Sequence, residues 1–242
     1  MNLKKLNKKQ YEKLRVWLIF AVALLVVFNQ YQLFSLGSGS GSSGATVLSG
    51  GFLKSAGDKD LKDVDVSSIT STAQAVATLF PVDKIKTDQD AINIIIPTGI
   101  PEYSGYLGGI TFEDPVNSMG YLAKWYPGLK EEVKKNDPQL WQRYLNLAAA
   151  PRGIACEFCC GVGAQGVTAD GDLRCGCQHN PALQALAIGL MKNTDYSDVE
   201  VLREVMKWKA IWFPKNMVGL AIQVAGQDPS SLNDLPGMVG GC

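Results

Sequence analysis

Apolar residues recur along this chain mainly at helical spacing. Leu183, Leu186, Ala187, Leu190 and Met191 form one apolar stripe, because side chains three and four positions apart share a helical face. Val199, Leu202, Val205, Met206 and Phe213 repeat the pattern behind Ser197-Asp198-Val199-Glu200. That tetrapeptide reads as a capping box, in which the Ser hydroxyl and the Glu carboxylate each accept a backbone N–H of the other's residue. Asp114-Pro115 and Asp137-Pro138 are cap and first-turn pairs. The first places Val116, Met119, Ala123 and Tyr126 on one face, and Pro127-Gly128 is expected to break or kink that helix. The second is followed by Leu140, Tyr144 and Leu147. Thr70 to Phe80 reads as a short helix ending at Pro81, and Asp88 to Ile96 as another stopped before Pro97, although Ile92 to Ile96 alone also suits a strand. Pro214 ends or kinks the helix before it, and Met217 to Val224 form one more. Trp208, Trp212 and the methionines read as core packing. The pattern predicts a mainly α fold: a small helical domain with an irregular Cys-rich metal-binding loop, preceded by one transmembrane helix.

The transmembrane expectation rests on the start of the chain. Val16 to Phe28 is unbroken apolar sequence, and the weaker continuation to Leu36 brings it to the roughly 20 residues a spanning helix needs. Six basic residues against Glu12 occupy 1–15, and no basic residue follows the apolar run until Lys54. By the positive-inside rule, 1–15 is a cytoplasmic N-terminus, 16–36 a signal-anchor, and the remainder lies outside a cell membrane crossed once. A cleaved signal peptide competes with this reading. Residues 37–65 are Gly/Ser-rich, then charged, and behave as a flexible linker. The helical domain spans 66–226, and 227–242 is a turn-rich tail expected to be mobile, with Cys242 a loose thiol or an intermolecular bridge rather than a sixth ligand.

Charge narrows the function. The 23 basic and 23 acidic residues cancel over the whole chain, but the six basic side chains of the N-terminus leave the domain mildly acidic. That argues against a nucleic-acid surface. No GxSxG, P-loop, GxGxxG after a strand or HExxH is present, and with one histidine any Ser-His or Cys-His catalysis would have to use His179. Glu102, Glu113 and Asp114 show no spacing that singles out an acid/base pair. The chain therefore reads as a binding protein rather than an enzyme, its partners being the membrane through the N-terminal helix and an unidentified protein.

The candidate chemistry lies between Cys156 and His179, which hold five of the six cysteines and the only histidine. Cys156-x-x-Cys159 and Cys175-x-Cys177 put two sulfurs on each of two tight turns, the arrangement by which four thiolates converge on one tetrahedral ion. Cys156, Cys159, Cys175 and Cys177 are the expected ligands. His179 and Cys160 are the replacement or fifth-position candidates, and Cys160 is expected to point elsewhere. Zinc is the first expectation, copper or an iron–sulfur cluster the alternatives, and thiol redox chemistry or cross-bridging disulfides remain open. Pro181 suits a first helical turn, with Asn180 as N-cap and His179 just outside, so that free N–H groups would face the sulfurs.

The motif CGCQHNPAL resembles the cysteine-rich end of uncharacterised membrane-anchored prokaryotic proteins carrying CxxCC and CGCxHNP. The resemblance extends to SITSTAQAVATLFPVDKI, GIACEFCCGVG and MKNTDYSDVEVLREVMKWKAIWFPKNM. It is looser to PCYCGC-motif lipoproteins, from which the chain departs at Leu173-Arg174 and in lacking a lipobox cysteine. It implies a shared ligand set and no activity.

Overall fold

The computed structural model describes residues 61–228, 232 and 235–240, all within the compact unit Phe52–Cys242. Among them are eight α-helices: α1 Thr72–Leu79, α2 Asp88–Ile95, α3 Pro115–Asn136, α4 Pro138–Ala148, α5 Glu157–Cys160, α6 His179–Asn193, α7 Asp198–Trp212 and α8 Pro214–Val224. The described residues hold no strand, and their one isolated β-bridge joins Val167 to Leu173.

Helix starts follow from side-chain oxygens that take up the orphan N–H groups of a first turn. Ser71 accepts from Gln74, Thr87 forms a capping box with Asp90, and Ser197 forms the expected one with Glu200. Asp137 caps α4 by accepting the Leu140 N–H, while Pro138 ends α3. Ile92 to Ile95 lie in α2, so the helical reading prevails over the strand. Pro127 does not break α3. Buried Met119, Leu122, Tyr126, Leu129 and Val133 at helical spacing run through it, and their burial offsets the roughly 3 kcal/mol that an interior proline costs. Val116, expected inward, is exposed.

The largest departure concerns α6, which reads as amphipathic but is buried on every side from Ala182 to Met191. It is the central helix, packed against α3, α4 and α7, while α8 closes over α1 and α2. Gly189 allows the close approach: a Cβ there would lie 2.8 Å from Leu107 and 3.0 Å from Trp125.

One part of the expected fold is corrected. Among the described residues no helix is long and apolar enough to cross a membrane. The longest, α3, carries Lys124, Lys130, Glu131, Glu132, Lys134 and Lys135, and α6, buried on every side from Ala182 to Met191, has 15 residues and spends its apolar surface on the core. The fold is mainly helical with no transmembrane helix among its described elements; the segment 16–36 lies outside them. In the tail, the Val239 N–H donates to Trp212 O at 2.8 Å and the Lys215 N–H to Pro236 O at 3.2 Å, so residues 236–239 lie on the core.

Candidate metal centre

Two short turns carry the sulfurs. At the first, the N–H groups of Cys159 and Cys160 donate to Cys156 O at 3.0 and 3.3 Å, and Gly161, in the left-handed conformation at φ 64°, closes the turn by donating to Glu157 O. One helical turn brings residues i and i+4 to the same side. Cys156 and Cys160 therefore face together, with sulfurs 3.9 Å apart. In the second turn the Cys177 N–H points at Cys175 Sγ, 3.5 Å away.

A buried amide bracket joins the turns. Asn180 Nδ2 donates to Gly166 O at 2.9 Å and to Cys175 O at 3.2 Å, and its Oδ1 accepts from Gln184 Nε2, which also donates to Ile154 O. Tyr144 completes the chain by donating its hydroxyl to Gln184 Oε1. This corrects the reading of Asn180 as a helix cap: its side chain is committed to the loop, and α6 begins at His179, with Pro181 in its first turn where an N–H has no intrahelical acceptor anyway. Gly166 is required, since a Cβ there would lie 2.0 Å from Ile154 O.

The result is one crowded group and a second beside it. The Sγ atoms of Cys156, Cys160, Cys175 and Cys177 all lie within 4.8 Å of one another, close enough to hold a metal ion. Cys159, Cys177 and His179 form a second group within the same limit. Cys160, expected to point elsewhere, thus stands with the first group, and Cys159, expected among its ligands, stands with the second. Cys160 is disulfide-bonded to Cys175, with Cα atoms 6.7 Å apart, and Cys159 is also disulfide-bonded. Cys156 and Cys177 are free thiols 3.0 Å apart. Cys242 lies outside the described residues.

The donor set suits a thiophilic ion. Four thiolates about 2.3 Å from a tetrahedral zinc stand roughly 3.8 Å from one another. The 3.9 Å separation of Cys156 from Cys160 already matches, and the Cys156–Cys177 pair needs to open by less than 1 Å. Cys160 and Cys175 would have to be reduced first.

Burial sets the electrostatics. Cys156 is fully buried, and desolvation, reinforced by the neighbouring Cys177 thiol and opposed by Lys209, pushes its pKa up to about 12, so without an ion it is a thiol. His179 is also fully buried and its pKa is lowered by desolvation, against the Val239 carbonyl, 3.0 Å from its Nε2. It is therefore neutral at physiological pH, the form that ligates.

A buried ion pair forms the wall behind Cys156. Lys209 has no exposed surface and donates to Glu157 Oε1 at 2.7 Å and Gly153 O at 2.8 Å, with Thr72 Oγ1 at 3.3 Å and the Phe158 ring 4.9 Å from its Nζ. Burial lowers its pKa and Glu157 opposes the shift. The sequence reading missed this pair. Its signal is the spacing Leu202, Met206, Lys209, Phe213, which puts the lysine on the inward stripe of α7.

No family model matches the chain, and neither a characterised protein nor a solved structure matches it, so the case for a metal centre rests on this geometry alone.

Proposed function

We propose that the protein is a zinc-type metal-binding domain in which one ion, held by Cys156, Cys160, Cys175 and Cys177, ties the turn before Gly161 to the start of α6. The observation that supports it is the mutual approach of these four sulfurs to within 4.8 Å. The role is structural: in the reduced chain the ion takes the place of the Cys160–Cys175 bridge and adds the two free thiols to it. Each ligand thiol gives up its proton on binding, so the high pKa of Cys156 makes loading weaken as the pH falls.

A second reading is favoured by the free Cys156–Cys177 pair beside a disulfide. Here the two thiols give two protons and two electrons to a partner's disulfide, forming a Cys156–Cys177 bridge and leaving the partner a dithiol. Zinc, copper and iron should be measured on the full chain purified under reductant, with thiols counted before and after chelation. One zinc per chain that shields four thiols supports the structural site. No metal, together with two electrons taken up reversibly by Cys156 and Cys177, supports the redox pair and overturns it.

A further inference from the structure

We infer that the cysteine-rich segment is built for a second thiophilic ion, held by Cys159, Cys177 and His179, with the Cys177 thiolate shared between the two. The inference rests on the reading of the four-sulfur group as a zinc-type site. Cys177 is the residue common to both groups of potential ligands. One tetrahedral ion has no room for five sulfurs and an imidazole, whereas two ions bridged by a thiolate use them all. The turn of α5 makes the division, because successive residues point about 100° apart and the adjacent Cys159 and Cys160 cannot aim at one point.

His179 supplies the independent observation. It is fully buried between Trp212 and Phe213, with ring centroids 6.1 and 4.7 Å away, and its Nδ1 has no hydrogen-bond partner among the described residues. Its Nε2 lies 3.0 Å from Val239 O. A neutral imidazole that donates Nε2–H to a backbone carbonyl leaves the Nδ1 lone pair bare, which is how metal-bound histidines are usually oriented. A buried acceptor left empty is costly, and an ion at Nδ1 removes that cost.

Charge favours the second ion as well. Four thiolates around one divalent ion leave a formal charge of minus two at a site backed by the fully buried Cys156, whereas adding the Cys159 thiolate and a second divalent ion leaves minus one. With three protein ligands, the second ion keeps a coordination position for water or an added ligand. Loading requires the reduced chain. Each disulfide accepts two electrons and two protons from a dithiol reductant, which becomes a disulfide, and each ligand thiol then releases its proton to solvent as its sulfur binds.

The test uses the full chain, reduced and loaded with cadmium as a probe for zinc, read by cadmium NMR and by metal stoichiometry. The expected result is two cadmium signals and two ions per chain, falling to one signal and one ion in both His179→Phe and Cys159→Ser. The first variant keeps an aromatic ring against Trp212 and Phe213, and the second alters a half-buried side chain. Circular dichroism establishes that each is folded. One ion in the parent chain, whether kept or lost in these variants, overturns the second site while the four-sulfur reading stands or is redrawn around His179. No ion in the parent chain overturns both.

Discussion

The two ends of α6 are equally buried yet secured by different physics. From Leu186 to Met191 the helix meets apolar neighbours on every side, whereas His179, Asn180 and Gln184 at its start are buried polar groups, two of which organise the cysteine loop through hydrogen bonds. Apolar burial is non-directional and roughly proportional to area, so small changes of shape are absorbed. A buried polar bracket is directional, and losing one member strands the others without partners. The helical scaffold is therefore expected to tolerate substitution, and the cysteine cluster to depend on a few side chains that touch no sulfur.

The largest effect that sharpens this contrast should come from the ion pair behind Cys156. Lys209→Met leaves Glu157 facing the interior without its ammonium partner, and breaking a buried pair costs about 3–5 kcal/mol. Urea unfolding should show that loss, and Lys209→Met combined with Glu157→Leu should recover much of it. A single variant within 1 kcal/mol of the parent would show that the pair is not what holds the turn.

Asn180→Ala is next. It removes the donor to Gly166 O and Cys175 O and the acceptor of Gln184, at about 1–3 kcal/mol for the groups left unsatisfied. Amide exchange should speed up in 161–177 while α3 and α7 remain protected, and metal affinity should fall with it. Uniform acceleration across the domain would erase the distinction between the two ends of α6.

At the apolar end, Ile188→Val removes one fully buried methylene and should cost about 1 kcal/mol in the same urea experiment, with metal stoichiometry unchanged. Loss of metal from this variant would tie the centre to the scaffold more closely than its hydrogen bonds do.

The smallest effects are in the pH dependence of the metal-free chain. The folded pKa of His179 lies below its ordinary value of 6.5, so the unfolded chain binds the extra proton first, and stability should decline as pH falls through about 6.5. Cys156 acts at the other limit. It stays protonated to about pH 12 in the fold but ionises near 9.0 when unfolded, so stability should decline as pH rises beyond 9. Thermal melts from pH 5 to 10 test both signs, and a decline at neither limit would contradict the burial of these groups.

Helix positions were legible because their causes are local. The Ser197–Glu200 capping box, the two Asp-Pro starts and the inward stripe of α7 each depend on residues within a few positions of one another. Pro127 does not break α3, because its local signal is outweighed by packing along both halves of the helix. The crowding of Cys and His between 156 and 179 pointed to the site but not to its partition. Spacing in the chain favours Cys156 with Cys159, and a single helical turn gives Cys156 to Cys160 instead.

What the amino-acid sequence determined by itself is the longer helices of the domain and the place of the sulfur chemistry, because periodicity, caps and ligand clusters act over a turn or two of chain; the short α5 lies within the segment that reads as an irregular loop. The tertiary structure alone decided three further things: that α6 is buried on every side, that Lys209 and Glu157 meet across 52 residues, and that Cys177 stands between two groups of ligands. Each is a meeting of segments far apart in the chain, and which of them come together is chosen by how the whole core closes.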